Sequence, residues 1–217
     1  MEDLTINLLK ILGKREILVD SFEDVKEMHQ ECLEMFKLAW EALEENDEDK
    51  AELVIGKDDK VDELEVLVRE NVLTYLAAIP VGGNIPLSLV LLDTSNQLER
   101  LADHVCFIAD SSMKYPCLDA DKYSKMLRQQ KGLALKMLEN VSTAIDTCDE
   151  NVAEKVVGMY ERLKDEYENF IEEVDKSSDL PMHRAIGLIL VSRNLLRIGK
   201  KSKSIMEFCL KPYPEAG

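Results

Sequence analysis

Residues 25–43 read VKEMHQECLEMFKLAWEAL, and the spacing of their apolar side chains decides the fold class. Apolar residues recur there at steps of three and four, which places them on one face of a helix: Val25, Met28, Cys32, Phe36, Ala39 and Leu43. Nothing in the chain alternates between turn signals with the period of two that a half-buried strand requires. The stretch therefore predicts an amphipathic helix in an all-α protein.

The same period continues along the chain and predicts six long helices. The first is expected to begin at Ser21, where SFED offers a capping box, after a separate short amphipathic helix near the N-terminus. The second is expected to end at PVGGN (80–84) and to bury Leu53, Val54, Val61, Leu64, Leu67 and Val68. The predicted bounds of the last five helices are roughly 48–79, 86–113, 120–147, 150–178 and 181–209.

The second half of the chain repeats the first. QLERLADHVCFIAD (97–110) set over NLLRIGKKSKSIME (194–207) matches Arg100 with Arg197, and DDKVDELEVLV (58–68) set over ERLKDEYENFI (161–171) matches three acids. Long helices with short connections pack antiparallel. We therefore expect two tandem three-helix bundles, the first within residues 1–114 and the second within 115–217.

The charge of the chain limits its partners. Its 217 residues carry a formal net charge of -16, and residues 20–70 hold 19 acids against 6 bases, whereas RIGKKSK (197–203) is basic. Nucleic-acid binding needs clustered Lys and Arg, so that class is disfavoured. The acidic region is open to three interpretations: a solvated face, a cation-binding surface, or a surface that docks on a basic partner.

The five cysteines are odd in number, widely scattered and without a CxxC pair. This pattern predicts neither a disulfide framework nor a zinc knuckle, and it favours a reducing cytosol. The N-terminal residues lack the features of a signal peptide, and no uninterrupted apolar run approaches the ~18–20 residues of a membrane span.

Two pairs of acids stand out on the predicted helices. Asp58 and Asp62 lie four residues apart on the second helix, and Glu99 and Asp103 lie four apart on the third. Residues at that spacing share one helix face, so neighbouring helices would point four carboxylates into one groove. Oxygen ligands of this kind suit Mg²⁺, Ca²⁺, Mn²⁺ or iron. The alternative interpretation is that these acids are ordinary solvated charges.

Two further acids extend these faces. Asp110 follows Asp103 by seven residues on the third helix, and Glu65 extends the face of the second. Both are candidate ligands on the same grounds.

No catalytic motif accompanies these acids. The chain contains no GxSxG, P-loop, GxGxxG or HExxH. A carboxylate-bridged di-iron enzyme usually needs Glu-x-x-His on facing helices, and no ExxH occurs here. The sequence thus favours a protein that is not an enzyme.

Several segments resemble one family. LERLADHVCFIAD (98–110) resembles the LERIGDxxxxIxE signature of the PhoU family, which regulates phosphate uptake, and DEDKAELVIGKDDKVDELEV (47–66) looks like the helix that precedes it. In the second half, YERLKDEYENF (160–170) and LLRIGKKSKSI (195–205) are similar to the corresponding repeat segments. The resemblance covers about residues 20–209 and implies a pair of three-helix bundles.

The resemblance also implies multinuclear metal clusters. Carried over by position, the ligands are Asp58 with Asp62 and Glu99 with Asp103 in the first repeat, and Glu161 with Asp165 in the second. The implied cofactors are divalent or trivalent ions: iron, zinc, magnesium or manganese.

The second repeat departs from the family pattern. Where the pattern reads E-R-I-G-D, this chain has Leu196, Arg197, Ile198, Gly199 and Lys200, so both acids are missing. We expect metal chiefly in the first repeat, with Lys200 neutralising Glu161 or Asp165 in the second. The first repeat reads Leu-Ala where the family has Ile-Gly.

Finally, the resemblance implies a role. PhoU-like proteins are cytoplasmic negative regulators of a high-affinity phosphate ABC transporter, often dimeric. They contact its ATPase subunit and, in many bacteria, a membrane sensor histidine kinase. A homodimer in the cytoplasm is therefore expected, with the inner face of the membrane as a further location. The alternatives are a regulatory subunit of a different transporter and a metal-free helical scaffold that docks on a basic partner.

Overall fold

The computed structural model describes the backbone of residues 2–78 and 84–210, and the side chains of that part from residue 17 onward. Six helices make up the fold: α1 Glu2–Glu45, α2 Glu48–Ala78, α3 Ile85–Lys114, α4 Lys122–Thr147, α5 Glu150–Asp175 and α6 Met182–Leu210. The described residues contain no strand. The all-α prediction is confirmed, and the bounds of the last five helices fall close to those predicted.

The predicted start of the first long helix at Ser21 is wrong. A single helix, α1, runs through this position, and the Ser21 hydroxyl donates to the Ile17 carbonyl at 2.9 Å instead of capping a helix. Gly13 is the only glycine before Ser21, and no proline is present there to break the helix. The short N-terminal helix is therefore part of α1.

The other helices begin and end where side chains satisfy free backbone groups. Asn84 caps α3 by accepting from the Leu87 amide at 3.2 Å, and Asp121 caps α4 by accepting from the Ser124 amide at 3.0 Å. Asp149 caps α5 in the same way. Such caps stabilise a helix by about 0.5–2 kcal/mol each. Most of the predicted turn at 80–84 lies outside the described residues.

The helices pack in two groups of three. α1, α2 and α3 contact one another, as do α4, α5 and α6, while α3 with α6 and α1 with α4 join the two groups. One joining contact is a hydrogen bond of 2.9 Å between Nε2 of buried His29 and the Leu138 carbonyl.

On α2 the buried side chains recur at heptad-like spacing, with Val54, Val61, Val68 and Tyr75 inside. Leu53 and Leu67 were predicted to be buried, but they are 55% and 43% exposed. Each of them directly precedes a buried valine, and a single residue step turns a side chain by about 100° away from the core face.

The second group of helices carries a disulfide that the sequence did not predict. Cys148, the left-handed C-cap of α4, is bonded to Cys209 in the last turn of α6, with a Cα–Cα distance of 5.0 Å. α4 and α6 are the first and third helices of an up-down-up bundle. They therefore run parallel, and their C-terminal ends lie close together. The prediction from the cysteine pattern was wrong at this point. The two cysteines are 61 residues apart in sequence, so their spacing did not indicate a bond.

None of the helices in the described ranges is long and apolar enough to cross a membrane.

Candidate functional site: facing carboxylates and a basic seam

The structure brings the four acids of the first repeat together on two antiparallel helices. Burial, followed by the charges of Asp62 and Asp103, raises the pKa of Asp58 to about 6. Burial and Asp103 raise the pKa of Asp62, and burial, Asp103 and Asp62 raise that of Glu99. The effect of Asp103 on Asp58 and Asp62, and that of Asp62 on Glu99, link α2 to α3 across the groove. The four side chains, called the acidic cluster from here on, therefore form one region of negative potential.

The acidic cluster has the donors of a cation site but not its final geometry. No Lys, Arg or His side chain in the described part of the chain forms an ion pair with any of the four carboxylates. Within the same residues, no three His, Cys, Asp or Glu side chains are placed to hold a metal ion together. Asp62 and Asp103 are exposed and can rotate. The oxygen donors and the uncompensated charge fit a hard cation, and coordination requires side-chain rotation.

The two acids that extend the cluster are already neutralised. Glu65 accepts from Arg69 at 2.6 Å, and Asp110 pairs with Lys114 at 2.7 Å. Asp110 lies two helical turns beyond Asp103, about 10 Å along the axis. The structure keeps Glu65 beside the groove and does not bring Asp110 into the cluster.

A free thiol, Cys106, adjoins the acidic cluster, and its place there was not predicted from the sequence. Cys106 lies three residues after Asp103 and its Sγ donates to the Val54 carbonyl at 3.9 Å. Burial, followed by the negative charge of Asp58, raises the pKa of this thiol to about 12. Cys106 is therefore a neutral thiol in the metal-free chain. The spacing of three from Asp103 was the available signal.

The second-repeat acids are arranged differently. Glu161 and Asp165 are both exposed on α5, and Glu161 lies 3.7 Å from Lys203. We expected Lys200 to neutralise one of these acids, but the lysine beside Glu161 is Lys203. Lys203 also lies against the Tyr160 ring and Glu207, which hold it on the α5 side of α6. A lysine of α6 thus lies beside Glu161.

A second wall of the groove comes from the other repeat. His104 Nδ1 lies 3.2 Å from the Asn194 side-chain oxygen, and Lys201 donates to the Gln97 side-chain oxygen at 3.0 Å. Numbers rise on α3 while they fall on α6, so the two helices are antiparallel along this seam.

The groove beside the seam has a volume of about 700 Å³. Its lining combines acids of the first repeat with basic residues of both repeats: Asp62, Glu65, Glu99, Asp103, Arg69, Arg100, Arg197 and Lys201. The sequence showed that RIGKKSK is basic but did not show that it faces the acidic cluster.

The two halves of the chain each match the same protein family. A family profile described as "PhoU domain" matches residues 25–112 and 127–209, which is most of the chain. The chain belongs to the PhoU family. The predicted resemblance is confirmed, and with it a family of accessory and regulatory proteins of phosphate transport.

The chain matches two PhoU homologues along most of their length. The chain is 26% identical to the "Phosphate-specific transport system accessory protein PhoU homolog" of Clostridium acetobutylicum, over 85% of this chain and 90% of that protein. It is also 26% identical to PhoU homolog 1 of Thermotoga maritima, over 89% of this chain and 85% of that protein.

Solved structures share the fold. The PhoU structure from Pseudomonas aeruginosa superposes with a TM-score of 0.82 at 20% identity, over 90% of this chain and 96% of that one. The phosphate transport system regulatory protein PhoU from Streptococcus pneumoniae gives a TM-score of 0.81 at 19% identity, over 91% and 97%. At these identities the likeness establishes the PhoU helical-bundle fold.

Proposed function

We propose that this PhoU-family chain is a cytoplasmic, non-catalytic negative regulator of phosphate uptake. It acts by docking on the ATPase subunit of a high-affinity phosphate ABC transporter at the inner face of the membrane, as a homodimer. A sensor histidine kinase is a second partner where the organism has one. The observation that carries the proposal is the match of the PhoU domain to both halves of the chain, at 25–112 and 127–209.

The proposal includes a cation on the acidic cluster. Asp58, Asp62, Glu99 and Asp103 would hold it, because they supply only oxygen donors and lie close enough for the charge of Asp103 to raise the pKa of the other three. Mg²⁺, Mn²⁺ and iron fit such ligands better than zinc, which favours nitrogen and sulfur. When bound, the cation would offset part of the cluster's negative charge and so weaken its repulsion of a partner's acidic groups.

The function is tested in cells of the source organism that lack this chain. At high external phosphate we expect uptake of radiolabelled phosphate to exceed that of the parent strain, because the transporter is no longer restrained. Restoring the chain should return uptake to the parental level. Restoring Glu99→Gln with Asp103→Asn should not, whereas the matched second-repeat change Glu161→Gln with Asp165→Asn should. Unchanged phosphate uptake on deletion, or changed uptake of another solute instead, would refute the proposal.

A metal-free scaffold is the second candidate, and two observations favour it. No three ligands converge in the described residues, and 19 acids against 6 bases crowd residues 20–70. Such a surface would dock on a basic partner through screened charges. Binding to the purified ATPase subunit that persists in chelator and falls as salt rises from 50 to about 500 mM would support this candidate. Binding that needs Mn²⁺ or Mg²⁺ would exclude it.

A further inference from the structure

The seam between α3 and α6 follows the internal duplication. The alignment of 97–110 with 194–207 makes Gln97 equivalent to Asn194 and His104 equivalent to Lys201. The two hydrogen bonds of the seam, His104 with Asn194 and Lys201 with Gln97, are therefore equivalent to each other. The two repeats meet here about an approximate two-fold axis.

Two equivalent arginines lie between these hydrogen bonds. Arg100 is midway between Gln97 and His104 on α3, and Arg197 takes the same position on α6. Both line the groove beside Lys201. An antiparallel pair of helices places residues near the axis opposite each other, so the axis brings like charges together. Like charges repel, and a bound anion would offset the repulsion that the nearby carboxylates leave.

The positive charges at the seam lack carboxylate partners at ion-pair distance. Over residues 17–78 and 84–210, neither arginine nor Lys201 lies within 4.0 Å of an acid oxygen. Burial, followed by the charges of Arg100, Lys200 and Arg197, lowers the pKa of Lys201. The acids that line the same groove therefore do not form ion pairs with these three bases.

We infer that Arg100, Arg197 and Lys201 form a binding site for a tetrahedral oxyanion, either inorganic phosphate or a phosphomonoester. Each guanidinium can donate two parallel hydrogen bonds to such a group. The ammonium of Lys201 donates one hydrogen bond to Gln97, so two of its three N–H donors can bind the ligand. The groove of about 700 Å³ accepts the ligand together with its water.

The opposite wall of the groove sets the conditions for binding. Asp62, Glu99 and Asp103 repel an anion when they carry no cation, and a divalent ion on the acidic cluster reduces that repulsion. Affinity for the oxyanion should therefore rise when Mg²⁺ is present. The site itself consists of the three basic residues and does not depend on the transport role.

The test is isothermal titration of the full-length chain with sodium phosphate and, separately, with glycerol 3-phosphate. Each titration is run in chelator and in Mg²⁺. We expect saturable binding of at least one of the two, tighter in Mg²⁺. Arg197→Gln with Lys201→Gln should weaken it about tenfold or more, because charge-assisted hydrogen bonds are lost.

The matched control removes the same charge elsewhere. Lys136→Gln with Lys155→Gln changes two exposed lysines of α4 and α5 and should leave the affinity unchanged. Because Lys201→Gln also breaks the bond to Gln97, the single change Arg100→Gln at an exposed position provides a second variant, with about tenfold weakening expected and the helical circular dichroism retained.

Two results would overturn the inference. One is no binding of either compound to the wild-type chain under both conditions. The other is equal affinity in the groove variants and the control. Failure here is distinct from failure of the regulatory role, which is measured as phosphate uptake in cells.

Discussion

α3 and α6 occupy equivalent places in the two repeats but carry opposite charges. Where α3 has Glu99 and Asp103, α6 has Leu196 and Lys200. The helices lie side by side, so the difference is not between two remote sites but between two walls of one groove. One wall of the groove thus carries two carboxylates of α3, and the other carries Arg197 and Lys201 of α6.

The repeats also differ in how tightly their third helices pack. Gly187 on α6 takes the place that Val90 has on α3. A Cβ at Gly187 would lie 2.6 Å from the Tyr115 carbonyl oxygen, in the segment that links the repeats. The second repeat therefore needs a glycine where the first does not, because the connecting chain passes over only one of the two helices.

The largest stability difference between the repeats is expected from the disulfide. Cys148→Ser with Cys209→Ser should lower the free energy of unfolding by about 2–4 kcal/mol, because the closed loop restricts the unfolded chain. Urea unfolding without reductant measures this. Reductant should destabilise the wild type and leave the double variant unchanged. Equal stability of the two oxidised proteins would contradict the disulfide.

A smaller loss is expected when α6 is made more like α3. Gly187→Ala should cost about 1–3 kcal/mol, because its Cβ collides with backbone that cannot rotate away. Gly158→Ala is the matched control, since nothing lies within 4 Å of its added Cβ, and it should stabilise by up to about 1 kcal/mol. Thermal unfolding of both variants checks the difference. A Gly187→Ala protein as stable as Gly158→Ala would show that the segment at Tyr115 is not packed as described.

The pH dependence should distinguish the acids of the two repeats. The pKa of Asp58 is raised to about 6, so its ionised form destabilises the folded state: the cost is absent below about pH 4 and complete above about pH 6. Asp58→Asn should therefore stabilise the chelator-treated protein at pH 7.5 by about 1–2 kcal/mol, allowing for partial exposure, and have no effect at pH 4.

The control for this prediction is Asp165→Asn in the second repeat. That side chain is exposed, and its replacement should change stability by less than about 0.5 kcal/mol at either pH. Denaturant unfolding at the two pH values gives both numbers. A destabilising effect of Asp58→Asn at pH 7.5 would contradict the mutual repulsion within the acidic cluster.

Much of this arrangement could be predicted from sequence, and the failures have physical causes. Apolar spacing gave the helices, and four-residue spacing gave the facing acid pairs on α2 and α3. The disulfide and the α3–α6 seam join residues far apart in sequence, and periodicity within one helix carries no information about them. Lys203 replaced the expected Lys200 because packing against Tyr160 and Glu207 decides which lysine of α6 faces α5.

The central claim is that the first repeat holds the cation and the second does not. It is tested most directly by elemental analysis of three full-length proteins after incubation with Mn²⁺ or Fe²⁺ and removal of free metal. The wild type and Glu161→Gln with Asp165→Asn should retain equal amounts of metal, and Glu99→Gln with Asp103→Asn should lose most of it. Equal metal in all three proteins, or loss only from the second-repeat variant, would contradict the account.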